Sequence, residues 1–199
     1  MRHSDIEREN RFLLQRQQQF RTAADAVTDA WIRLPAVQAV ALIGSVAKPL
    51  WKEVPRFREY RDRGIELWHE CGDLDLAVWL DSLDHLDALR CTRDRALRQL
   101  FEGGATFGIV GHQVDTFLFE PGSDRYLGRL CSFNQCPKGK RDCLVPGCGT
   151  IPFNKRIDGF QPRDDLLAGA VMLYERQTGR RLLAADLPET GDDTGTRPR

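Results

Sequence analysis

Apolar residues recur at helical spacing through the first part of the chain. Leu13, Phe20, Ala24, Val27, Trp31 and Leu34 follow one another at three-, four- or seven-residue steps until Pro35 stops the pattern. Ser4-Asp5-Ile6-Glu7 has the form of a capping box, so the spacing predicts a long amphipathic helix inside residues 1–36. Its other face, with Arg8, Arg11, Arg16, Gln17, Gln18 and Arg21, reads as solvated helix surface. The period then changes. Val37 to Ile43 is a short apolar run closed by Gly44-Ser45, as expected of a buried strand. Leu74 to Leu80 is a second such run, and Val114 to Phe119 a third, with Thr106 to Val110 as a further strand segment before the Gly111-His112-Gln113 turn. Ser82 is placed to cap a helix carrying Leu86, Leu89, Ala96, Leu97, Leu100 and Phe101, which Gly103-Gly104 ends. Leu166, Leu167, Ala170, Val171, Leu173 and Tyr174 suggest a closing helix from Asp164 to Gln177, and from about Pro188 the composition is that of a disordered tail.

This order of elements predicts an α+β fold: a mixed β-sheet with helices packed mainly on one face. It divides into an N-terminal helix (1–36), a core (37–125), a cysteine-rich segment (126–160), a C-terminal helix (161–187) and a tail (188–199). A chain of 199 residues with 41% hydrophobic content has enough apolar material for one ordinary core. Twenty-nine basic residues balance twenty-nine acidic ones, so no global field points to nucleic acid or membrane, and a charged partner must be met by a local patch. The sequence shows no signal-peptide apolar region and no run of bilayer length, which gives the expectation of a cytoplasmic protein without a membrane partner.

Charge placement carries the chemistry. Asp73 and Asp75 open the Leu74–Leu80 run two residues apart, so on a strand both carboxylates leave the same face. Unneutralised they repel; a hard divalent cation such as Mg²⁺, held by one or two carboxylates together with substrate phosphates, resolves the conflict. A turn-capping Asp explains Asp73 after Gly72 but not Asp75. Asp115 is a third acid inside a strand, sharing a face with Phe117 and Phe119, where a charge is costly unless it is paired or on a metal. Gly44 lets a backbone approach a ligand closely. Ser45, read as the start of a following helix, would offer a hydroxyl beside backbone N–H groups for phosphate, or would simply be an N-cap.

Between Lys48 and Arg63 six bases face three acids among aromatic residues, and Lys48, Arg56, Arg58 and Arg61 are candidates for phosphate or acceptor contacts. The same stretch also reads as an irregular excursion whose aromatics pack on the core. His69, four residues before Asp73, is read as satisfied by hydrogen bonding rather than as a ligand. Cys131, Cys136, Cys143 and Cys148 follow Cys-x4-Cys-x6-Cys-x4-Cys in a segment rich in Pro and Gly, a spacing suited to one structural Zn²⁺.

Gly44-Ser45 after one strand, Asp73-x-Asp75 opening the next and Asp115 within a third resemble, in that order, the minimal members of the nucleotidyltransferase superfamily that contains DNA polymerase beta, over roughly residues 37–119. The resemblance implies Gly44 and Ser45 at the triphosphate of an NTP, ATP being the expected one. It implies Asp73 and Asp75 on catalytic Mg²⁺, and Asp115 completing the site and helping to activate an acceptor hydroxyl. The residues from Val46 to Gly72 make a longer connection than such members usually have, which leaves the acceptor open. Two other readings stand beside it. One is a non-catalytic module of the same fold acting through a protein partner, as antitoxin-like members do. The other is a zinc-dependent nucleic-acid-binding protein resting on the cysteine segment, against which the neutral net charge counts.

Overall fold

The long N-terminal helix α1 spans His3–Trp31. Its N-cap is Arg2, two residues before the expected Ser4: the Asp5 carboxylate accepts the Arg2 backbone N–H at 3.0 Å, and Ser4 lies inside the first turn. That hydrogen bond, with the neighbouring Arg8, holds the Asp5 carboxyl below its ordinary range. The computed structural model describes residues 2–105, 108–130 and 165–191. Further elements are β1 (Val37–Ile43), β2 (Lys52–Glu53), the short helix α2 (Arg58–Arg63), β3 (Leu67–Trp68), β4 (Leu74–Leu80) and α3 (Leu86–Glu102). β5 (Val114–Phe119), β6 (Tyr126–Leu130), β7 (Val171–Glu175) and β8 (Arg180–Arg181) complete the strands among the described residues.

Six strands form one mixed sheet in the order β6-β5-β4-β1-β7-β8, and β2 pairs with β3 in a separate ribbon. Only β4 and β5 run parallel; the other pairs in the sheet are antiparallel. The two faces of the sheet differ. Val40 and Leu42 of β1, Leu74, Leu76 and Val78 of β4, and Val114 and Leu118 of β5 pack with Phe20, Val27 and Trp31 of α1 and Leu89 and Leu97 of α3. The alternate residues, Ala41, Ile43, Ala77, Trp79 and Phe119, form a second cluster on the face away from those helices. The α+β class, the mixed sheet and the placement of both long helices on one face agree with the sequence pattern.

Three expected elements differ. The segment given to a C-terminal helix over 161–187 contains β7 and β8 among its described residues. Gly169, at φ +74°, breaks any helix begun at Leu166. Beyond it Val171, Met172 and Tyr174 have the branched and large side chains that fit a strand, and β1 offers an open edge for Val171–Glu175 to pair with. The helix after Asp81 begins at Leu86, not at Ser82, whose hydroxyl instead bonds the Asp84 carboxylate and amide. Gly108–Val110 is irregular, not a strand. β6 falls in the span assigned to the cysteine-rich segment.

The expected tail is also anchored at its start. Leu50 N–H donates to Glu189 C=O and Gly191 N–H to Leu50 C=O, so residues 188–191 belong to the fold. Asp25, buried on α1, accepts N–H bonds from Ala184 at 2.8 Å and Ala185 at 3.0 Å and faces Arg181, tying this C-terminal strap to the helix. Among the described residues no helix is long and apolar enough to cross a membrane.

Candidate active site

The antiparallel pairing of β1 with β4 puts Ile43 opposite Asp75, so the turn leaving β1 and the acidic start of β4 lie at the same end of the sheet. Asp75 is in strand register with Asp115 on the parallel β4–β5 pair. Both lie on the face away from the helices, since Leu74 and Leu76, Val114 and Leu118 occupy the other. Asp73 sits in the bend immediately before β4.

Gly44 is part of this geometry. It adopts φ +73°, and a Cβ built on it would meet the Asp75 carboxylate oxygen Oδ2 at 2.5 Å. The Asp75 side chain therefore lies against bare backbone, which a larger residue at position 44 would obstruct. No helix follows Ser45, contrary to expectation: residues 44–48 form turns closed by Lys48 N–H donating to Ser45 C=O at 3.2 Å. Pro49 comes too soon for a helix to establish itself. Ser45 therefore offers no helix N-terminus to a phosphate. The Ser45 hydroxyl is hydrogen-bonded with the buried Cys71 thiol, whose pKa is raised by burial.

Behind this turn stands α1. Arg21, fully buried, donates to the carbonyls of Val46, Lys48, Leu187 and Pro188, and Gln17 donates to Lys48 at 2.8 Å. Arg16 bonds the Cys71 carbonyl at 3.2 Å. The segments either side of the acids are thus pinned to the same helix. Arg21, expected on the solvated face of α1, is buried instead, and that burial pushes its pKa down. A hydrogen-bonding role of this kind leaves no mark in apolar periodicity.

Asp115 is buried and ion-paired with Arg129 of β6. Arg129 pairs across the sheet with Phe117, its guanidinium 5.5 Å from that ring's centroid, and reaches diagonally to the acid. Sequence reading missed it because β6 was not recognised as a strand. The alternation Tyr126, Gly128, Leu130 against Leu127, Arg129 offers only a faint signal.

The excursion after Lys48 leads away from these groups. Trp68 N–H donates to Asn10 of α1, seven positions before Gln17 and so roughly 10 Å along the helix axis. Glu9 adds to the raised pKa of Tyr60, for which desolvation is the main cause. On this excursion Arg56, Arg58 and Arg61 are exposed, and Arg58 of α2 is paired to Asp62. Lys48 itself stays near the turn, its stem 3.6 Å from a Cβ built on Gly169. His69 stacks on Trp51 at 4.0 Å with Nδ1 3.1 Å from the Glu53 carboxylate, but that contact lacks hydrogen-bond geometry and the buried Nδ1 has no hydrogen-bond partner among the described residues, contrary to the expectation of a hydrogen-bonded histidine.

Compared with protein-family models, curated proteins and solved structures, the chain has no match. Among the described residues no group of three or more His, Cys, Asp or Glu side chains is gathered as a metal centre. The Asp75–Asp115 pair has the hard-oxygen chemistry suited to Mg²⁺, which ordinarily takes one or two protein carboxylates and completes its shell with water and phosphate. Cys131, Cys136, Cys143 and Cys148 lie outside the described residues.

Proposed function

We propose that the chain is a Mg²⁺-dependent nucleotidyltransferase that moves a nucleotidyl group from an NTP, ATP being the expected donor, to an acceptor hydroxyl or phosphate. The observation that carries the reading is the in-register Asp75–Asp115 pair, one member lying against Gly44, at the sheet end where Ser45 and Asp73 also lie. The acceptor oxygen attacks the α-phosphorus, the α–β bridging bond breaks, and pyrophosphate leaves. Asp75 and Asp115 would hold the ion, with Asp73 adding charge from the bend. Asp115 also helps to take up the proton of an acceptor hydroxyl, and the Gly44-Ser45 turn receives the triphosphate. Bound there, Mg²⁺ would lower the pKa of the attacking group and stabilise the leaving pyrophosphate.

One observation favours a second reading. Arg129 neutralises Asp115 without a metal, as expected if the acids serve structure in a non-catalytic module that works through a partner. Pyrophosphate release from each of the four NTPs, measured with and without Mg²⁺, separates the two, together with nucleotide binding by calorimetry. Divalent-dependent turnover that Asp75→Asn and Asp115→Asn remove while both variants remain folded supports the enzyme. Nucleotide binding that Mg²⁺ and the two Asn variants leave unchanged supports the module, and no nucleotide binding in either condition sinks the nucleotidyltransferase reading and leaves the module.

A further inference from the structure

Arg129 is the described cation paired with Asp115, and its position makes it more than a passive counter-ion. Its side chain and that of Asp115 are each 12% exposed, so the pair is largely withdrawn from water and is not one of the solvated surface pairs that contribute little. Its backbone is fixed in β6, opposite Phe117, and its guanidinium is 5.5 Å from that ring. A guanidinium so placed can change partner without leaving the neighbourhood of the acids.

Two facts of charge then constrain it. Asp75 and Asp115 are neighbours in register, and a carboxylate engaged by a guanidinium is a poorer ligand for a dication, which the guanidinium also repels. An ion held by this pair therefore requires Arg129 to loosen its hold on Asp115. The anion that arrives with the ion is a polyphosphate, and the planar fork of donors on arginine matches phosphate oxygens in a two-point contact. We infer that Arg129 is a nucleotide-binding residue that exchanges Asp115 for a phosphate of the incoming NTP, so that divalent-ion and nucleotide binding are thermodynamically linked. The inference rests on the nucleotidyltransferase reading and adds to it a named residue and a coupling between ligands. In the unliganded chain the guanidinium guards the carboxylate. In the loaded one it complements phosphate charge left over by the ion. Linkage is reciprocal: whatever factor the ion adds to nucleotide affinity, the nucleotide must add to ion affinity.

Calorimetry on the full chain tests this with Mn²⁺ alone, a non-hydrolysable ATP analogue alone in chelator, and the analogue at saturating Mn²⁺. The wild-type chain should bind the analogue at least about tenfold more tightly with the ion than without it. Arg129→Gln should bind Mn²⁺ alone about tenfold more tightly and the analogue with Mn²⁺ about tenfold more weakly, reducing the coupling. Arg129→Lys keeps the charge but not the two-point geometry, so it should retain part of the coupling; it also serves if the Gln variant is poorly folded. A structural prop would weaken both ligands together, and that outcome overturns the inference. So does an Arg129→Gln chain that matches wild type in both titrations, and in that case the nucleotidyltransferase reading survives. A wild-type chain that binds neither ion nor nucleotide removes that reading and this inference with it.

Discussion

Replacing Gly44 with Ala tests whether the backbone at this turn exists to seat Asp75. The new methyl would stand 2.5 Å from Asp75 Oδ2, well inside contact distance, on a residue at φ +73°. The left-handed conformation costs an alanine about 1–2 kcal/mol. Turning the carboxylate off its preferred rotamer adds about 0.5–1.5 kcal/mol. Reduced freedom of the unfolded chain returns about 0.4–1 kcal/mol, leaving a net loss of about 0.5–3 kcal/mol. Gly64, at φ +60° with nothing within 4 Å of a built Cβ, is the internal control, since Gly64→Ala bears the conformational cost alone. Urea unfolding of both variants should therefore place Gly44→Ala lower in stability, by about 0.5–1.5 kcal/mol. In an Asp75→Ala background that excess should vanish, because the remaining contact, to the Asp75 Cβ at 3.5 Å, is ordinary. Divalent-ion affinity measured on Gly44→Ala should fall as the carboxylate is displaced. Equal costs for the two glycine variants, or an excess that persists without Asp75, would refute the coupling between this turn and the acid.

Two further outcomes are expected. Asp25→Asn keeps one acceptor oxygen but turns an amide toward a backbone N–H of Ala184 or Ala185, so it should cost about 1–3 kcal/mol; hydrogen exchange should speed up at those two amides first, and unchanged protection there would dissociate the strap from Asp25. Glu120 is only partly buried, yet the hydrogen bond from Arg125, followed by that from Ser123, lowers its pKa from 4.5 to about 2. Because the folded value is depressed, the order this carboxylate gives the β5–β6 connection is complete above pH 4.5 and fades as pH falls toward 2; an NMR midpoint for Glu120 near 4.5 would contradict the contact.

The elements legible in the sequence were those whose signal is local. β1 and β5 are predicted residue for residue, because each is an apolar run closed by turn residues, and the face assignment of Asp115 follows from strict alternation. Elements set by distant partners were not legible. Val171–Glu175 carries apolar residues that satisfy a helical spacing as readily as a strand, and the choice falls to strand because β1 presents an unpaired edge to it 130 residues away in sequence, as the Leu42–Val171 to Ala39–Glu175 register shows. Ser82 and Ser45 have the identity of helix caps, yet the Ser82 hydroxyl is directed to Asp84 and Ser45 lies in a bend closed by the Lys48 N–H, so identity without geometry misleads at both.

The same division runs through the candidate site. The acids were found because a charge in a strand has no cheap structural reason, and their order along the chain limited how they could meet. What brings them together is pairing: β4 beside β5 in parallel register aligns Asp75 with Asp115, and β1 antiparallel to β4 delivers Gly44 to the same end. The groups that complete the arrangement are arginines, and an arginine in sequence looks solvated by default. Arg21 and Arg129 act in opposite electrostatic settings. Arg21 gives its donors to four carbonyls, holding backbone in place. Arg129 is paired with a carboxylate that the proposed chemistry needs for a metal. Substitution of the first should therefore disturb the turn whatever ligand is present, whereas substitution of the second leaves Asp115 without that counter-ion in the unliganded chain and, beyond this, alters the competition among guanidinium, ion and phosphate for the carboxylate. Both substitutions should lower stability measured without ligands, but only the second should move ion affinity and nucleotide affinity in opposite directions, and that difference separates the frame of the site from its chemistry.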